Sequence, residues 1–243
     1  MTPRRSLAAE LAAVAVLMGW NAAINRMVPA PAYVPANLVV AGLSVLAARS
    51  RGVAAAEMGL GRDQVAGGLR LGLAVAAPVA ASVAAGAGLP ATRRLFVDER
   101  GTTGGSGYAL YHTLVRIPLG TAVAEETLFR GSLLGLLLER HPPGRAATVS
   151  SVLFGLWHVL PTLDTVRLNA AGAAVRDDPA RVRVAVAASV AVTAVAGLGF
   201  SWLRLAGDSV VAPTVVHAAL NSSAFAAARL VGRQRSARRP TAR

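Results

Sequence analysis

The 243-residue chain contains no cysteine and no lysine, and only 15% of its residues are charged. Without cysteine there are no disulfides, no thiolate nucleophile and no Cys-based zinc site, and nothing about redox compartment can be read from cysteine usage. All 25 basic residues are arginine, which together with abundant alanine reads as GC-rich coding and not as a functional trait. With only 12 acidic residues the net charge is +13 and the sequence pI about 11.8. Such basicity invites a nucleic-acid partner. The arginines, however, lie mostly between apolar runs, where they orient membrane spans and meet anionic lipid, so no nucleic-acid partner is expected.

What the chain does have is apolar surface: 54% hydrophobic residues and a mean hydropathy of +0.51, much of it from alanine and valine. The expectation is an all-α fold, a polytopic integral-membrane helical bundle. Arg4 and Arg5 precede a run from Leu7 to Ile24 that resembles a signal peptide; Glu10 inside it and the lack of a cleavage site favour an uncleaved first helix. Asn21 and Asn25 near its end read as interfacial residues. After Pro29, Pro31 and Pro35, further spans are expected over Asn37–Ala48 and Gly67–Ala87, the latter kinked at Pro78. Residues from Gly88 to Gly107 form a polar, Gly-rich loop.

The stretch Tyr108–Gly120 can lie along the interface or begin the next helix, and Pro118 and Gly120 should separate it from the adjoining apolar run. A helix from Thr121 to Leu138 then ends in a turn where His141 reads as solvated. Spans over Ala146–Leu163, Val184–Leu205 and Val210–Val231 come next, with Asp164–Arg183 as an external loop. The count is seven transmembrane helices, or eight if Tyr108–Gly120 crosses. Only an even count would gather Arg49, Arg51, Arg62 and the basic tail on one side. Residues 1–232 make one membrane-embedded domain, and 233–243, with five arginines, a disordered tail.

Three polar groups interrupt these spans. Glu125, Glu126 and Arg130 share one helix. At ~100° per residue, Glu126 and Arg130 sit roughly 40° apart, suited to an ion pair, while Glu125 is about 140° from Arg130. The guanidinium holds Glu126 ionised as a structural acid, and Glu125 is the freer carboxylate, a candidate acid/base. Phe154-Gly155-Leu156-Trp157-His158 places a histidine one turn after a phenylalanine. His217 and Asn221 share a face of the last span. Ionisable and amide groups on three spans are held more cheaply in one shared cavity than apart. Together a carboxylate and neutral imidazoles could activate a water for attack on a carbonyl, with an Asn amide and an imidazole N–H stabilising the oxyanion. No serine at similar depth has a base nearby; Ser150 and Ser151 read as sites of close helix packing.

Glu-Glu-x-x-x-Arg at 125–130, Phe-x-x-x-His at 154–158 and His-x-x-x-Asn at 217–221, in that order on successive helices, resemble the motifs of the CPBP family. That family comprises type 2 CAAX prenyl proteases and related bacterial bacteriocin-processing or abortive-infection membrane proteins. The resemblance spans about Thr121–Phe225, a motif core of about 121–225. It implies an intramembrane endopeptidase in which Glu125 activates water, helped by His158, and His217 and Asn221 hold the oxyanion, while Glu126, Arg130 and Phe154 organise the site. No cofactor is required on this reading. A divalent metal such as zinc is the alternative, for which Glu125, His158 and His217 would be ligands, although no His-Glu-x-x-His is present. The expected partners are the lipid bilayer and a peptide or membrane-protein substrate. The composition suggests a multi-pass protein of a bacterial cell membrane, where a prenylated substrate is not expected. A catalytically silent membrane scaffold or immunity protein is the alternative function. A proton-coupled transporter is disfavoured because no inverted repeat is evident.

Overall fold

A computed structural model describes residues 7–97, 103–168 and 175–237, and among them the chain is all-helical, with no strand. The helices are α1 (Leu7–Arg26), α2 (Tyr33–Ser50), α3 (Val65–Gly88), a continuous helix over 106–138 (α4), α5 (Pro143–Trp157), α6 (Val159–Leu168), α7 (Pro179–Ala206) and α8 (Val211–Ala237). Cross-ties identify the two ends of the bundle. At one end Glu10 faces Arg140 and His141, Arg204 reaches the carbonyls of Glu57 and Met58, and the Val210 N–H donates to the Gly59 carbonyl. At the other end Arg26 pairs with Asp164, and Arg229 donates to the carbonyls of Thr103, Gly104 and Gly105. α1 therefore begins at one end and α8 finishes at the other. Arg233 thus lies at the opposite end from Arg49, Arg51 and Arg62.

Among the described residues five helical stretches are long and apolar enough to cross a membrane: Leu7–Arg26, Ala30–Ser50, Arg62–Gly88, Pro143–Arg167 and Pro179–Ala206. α4 and α8, which carry Glu125, Glu126, Arg130, His217 and Asn221, are not among them, because those side chains lower their apolarity. The count of seven or eight thus stands at five by length and composition. Between Leu128 and Leu137 every residue of α4 is buried. A helix enclosed on all sides belongs at the centre of a bundle. Around it Leu17, Phe129, Phe154, Trp157, Phe200 and Leu203 pack into one core. Val39, Leu43, Leu46, Val184, Val192, Val195 and Trp202 point outward, as apolar residues facing lipid do. Small residues set the closest approaches. A Cβ on Gly155 of α5 would lie 2.6 Å from the Val190 carbonyl of α7, and one on Gly72 of α3 would lie 3.0 Å from the Ala212 carbonyl of α8. Ser150 and Ser151 bond to the Phe129 carbonyl, the Ala147 carbonyl and Ser201, the packing role expected of them.

Several expectations are corrected. Tyr108–Gly120 begins α4, with no break at Pro118 or Gly120: the helix widens into π turns over His112–Val123 and again over Thr127–Leu133. Wider turns let the chain pass a residue that lacks an N–H donor. Gly120 is a packing residue, since a Cβ there would lie 2.9 Å from Val34 Cγ2, and its carbonyl accepts from Asn37. His141 is not simply solvated, because its Nε2 lies 3.2 Å from the Glu10 carboxylate. Asn21 is buried and ties α1 to α5 through the Trp157 carbonyl. The loop expected from Asp164 starts later, because α6 continues to Leu168; the part of it over 169–174 lies outside the described residues, as do 238–243 of the tail.

Candidate active site

α4 presents Glu125 and Glu126 from the α-helical turn Ala124–Glu126, between its two π stretches. Glu126 and Arg130 are both fully buried, and Arg130 Nη1 donates to Glu126 Oε1 at 3.2 Å, the i,i+4 pair expected from their spacing. The other guanidinium end, Nη2, donates to the Gly197 carbonyl of α7 at 3.0 Å. A Cβ at position 197 would lie 2.9 Å from that nitrogen, so glycine there is what admits the guanidinium. The guanidinium carbon also lies 4.2 Å from the centroid of the Phe154 ring and 5.3 Å from that of Phe200. A buried cation is thus met by a carboxylate, a carbonyl and aromatic faces, the partners that offset its desolvation.

His217, on α8, points Nδ1 at the same Glu126 Oε1 at 2.8 Å. Its ring stacks on Phe200 at 5.0 Å between centroids and meets Phe154 edge-on at 5.9 Å. α5 stops at Trp157, and His158 sits in the turn before α6. His158 Nδ1 lies 2.7 Å from the Phe154 carbonyl. A carbonyl only accepts, so Nδ1 carries the proton and Nε2, in the neutral ring, keeps its lone pair. The His158 ring packs edge-on against Phe154 at 4.6 Å. Phe154 is therefore the shared wall of Arg130, His158 and His217.

Glu125 is held apart from this cluster. Trp157 Nε1–H donates to its Oε1 at 3.2 Å, and its buried Oε2 has no hydrogen-bond partner. Asn21 fixes the Trp157 carbonyl, and on the other flank Trp20 donates to Asn37, which in turn donates to the Gly120 carbonyl. Asn221 lies one turn beyond His217, half-buried, and makes no hydrogen bond among the described residues. The contacts thus join Glu126, Arg130, Phe154, His158 and His217 directly, and Glu125 through Trp157; Asn221 is placed by α8 alone. Trp157, Phe200, Gly197 and Asn37 belong to the site without having been marked out by the sequence. Only Trp157 carried a local signal, one residue before His158 within the second motif.

Among the described residues no three His, Asp or Glu side chains group to hold a metal ion, Glu125, His158 and His217 included.

Residues 108–223 match the family described as type II CAAX prenyl endopeptidase, Rce1-like. The matched stretch is 116 of the chain's 243 residues, and over it the chain is similar to this family. The match starts within the first turn of α4 and ends two residues after Asn221, so it takes in all three motifs and bears out their resemblance to CPBP intramembrane proteases. The Rce1-like chain is accordingly a multi-pass membrane protein of a protease family, whose substrates are peptides or proteins in a membrane. No curated protein and no solved structure matches it.

Proposed function

We propose that this Rce1-like protein is an intramembrane endopeptidase that hydrolyses a peptide bond with a water activated by Glu125 and without a metal. The observation that carries the reading is the division of labour between adjacent carboxylates. Glu126 is engaged by both Arg130 and His217 through Oε1, whereas Glu125 makes no ion pair among the described residues and is oriented only by the neutral Trp157 donor; the Oε2 of each is buried without a hydrogen-bond partner. A carboxylate positioned in this way can accept a proton from water as the water oxygen bonds to the scissile carbonyl carbon. His158 Nε2 accepts the second water hydrogen and aims the lone pair. The carbonyl oxygen, now an oxyanion, takes hydrogen bonds from the Asn221 amide and from His217 Nε2–H when that ring carries both protons. In that state the charges of Glu125, Glu126, Arg130 and the His217 imidazolium sum to zero, so the buried set is neutral before water is activated. The tetrahedral intermediate then collapses: the C–N bond breaks, and Glu125 returns its proton to the leaving amine.

The substrate is a bacterial peptide or membrane protein at the cell membrane, cut near a bilayer boundary. Peptide termini in membranes of cells expressing the wild type or Glu125→Gln at matched abundance provide the test. Termini unique to the wild type are expected. Identical sets from two folded, abundant proteins would replace the endopeptidase with a silent scaffold.

A further inference from the structure

Apart from the active site, a large cleft of about 560 Å³ lies between α1 and α2. Its floor is the face of α4 formed by Leu128, Ser132 and Leu136, spaced four apart. Its lips, Val16 and Leu43, are exposed, so the cleft opens sideways out of the bundle. Apart from Ser44 and Ser132, whose hydroxyls bond to each other at 2.8 Å, and Arg51, its lining is apolar. On α1 the lining runs from Ala9 to Ala23, about 21 Å at 1.5 Å per residue.

Arg51, exposed at the end of α2, closes one end of the cleft. Nearby Arg140 is paired with Glu10, but the Arg51 guanidinium has no carboxylate partner among the described residues. A slot with apolar walls and an unpaired cation at its mouth has the chemistry of an amphiphile carrying an anionic head.

We propose that this cleft is a site for one anionic phospholipid, its phosphate on Arg51 and one acyl chain between α1 and α2. Length suits a single chain, since half of a bilayer's hydrocarbon core is about 15 Å thick. A tail gains no hydrophobic energy by leaving other tails. Selective retention must therefore come from the Arg51 contact and from filling a gap that α1 and α2 leave between them. This cleft adjoins the hydrolytic site at Trp20, but its lipid contact does not depend on that site's assignment.

Because the chain lacks cysteine, Gly19→Cys provides a sole thiol in the cleft, and a Cβ at Gly19 meets nothing within 4 Å, so the substitution is tolerated. Leu11→Cys, on an exposed position of α1 outside the cleft, is the control. The rate of alkylation by an apolar maleimide is measured on the full-length protein in detergent with dipalmitoyl phosphatidylglycerol, dipalmitoyl phosphatidylcholine or an apolar transmembrane peptide. Bound lipid slows labelling by 1 + [L]/Kd, about tenfold at ten times Kd. Phosphatidylglycerol is expected to protect position 19 and not position 11, and Arg51→Ala is expected to remove that protection. Equal protection at both positions, equal protection by both lipids, protection by the peptide instead, or protection unchanged in Arg51→Ala would each overturn the assignment.

Discussion

Glu125 and Glu126 are neighbours in sequence with opposite fates, and the difference lies in their partners. Glu125→Gln should abolish cleavage while leaving accumulation and thermal unfolding unchanged, because the amide oxygen can still accept from Trp157. Trp157→Phe keeps the ring that meets Phe129 at 5.4 Å but removes the donor to Glu125. It should lower kcat roughly 10- to 150-fold, the worth of an orienting hydrogen bond of about 1.5–3 kcal/mol to a charged group, with KM unchanged in a peptide-cleavage assay. Arg130→Met alone strands Glu126 and should cost about 3–5 kcal/mol in a denaturation experiment. Combining it with Glu126→Leu should recover most of that stability but no activity, since His217 then loses its anchor. The spacing of Glu126 and Arg130 disclosed their pair in advance because it is local to one helix. The Glu125–Trp157 and Glu126–His217 contacts cross 32 and 91 residues, and only the fold makes them visible.

Helix α4 shows what hydropathy alone misreads. Pro118 and Gly120 look like breakers, yet the helix passes both in wide turns, and Gly120 sits where Val34 and Tyr33 press against it. The sequence signal for a stop was genuine; tertiary packing overrode it. α5 and α7 make the complementary case. Ser150 and Ser151 look like packing residues, and the face they share with Gly155 is one, since the Val190 carbonyl approaches within 2.6 Å of where a Gly155 Cβ would stand. That neighbour is backbone and cannot rotate away. Gly155→Val should therefore destabilise the protein by at least about 1–3 kcal/mol, measured by thermal unfolding in detergent, and displace His158, three residues on.

Across the whole molecule, composition was enough to declare a membrane bundle but not its end-to-end arrangement, because arginines occur at both ends and charge asymmetry is weak. The cross-ties decide it. Single cysteines replacing Arg62 and Arg145 should react with an impermeant maleimide from one face of sealed vesicles, and those replacing Arg94 and Arg176 only from the other. The Glu126–Arg130 pair also bears on how the protein is made. His217 emerges from the ribosome 91 residues after Glu126, some 5–18 s later at about 5–20 residues per second. A nascent segment bearing bare charges is poorly accepted by the insertion machinery, at about 2.5–3.5 kcal/mol each. Because Arg130 lies one turn away on the same segment, Glu126 can enter the bilayer already neutralised and wait there for the rest of the site to be translated.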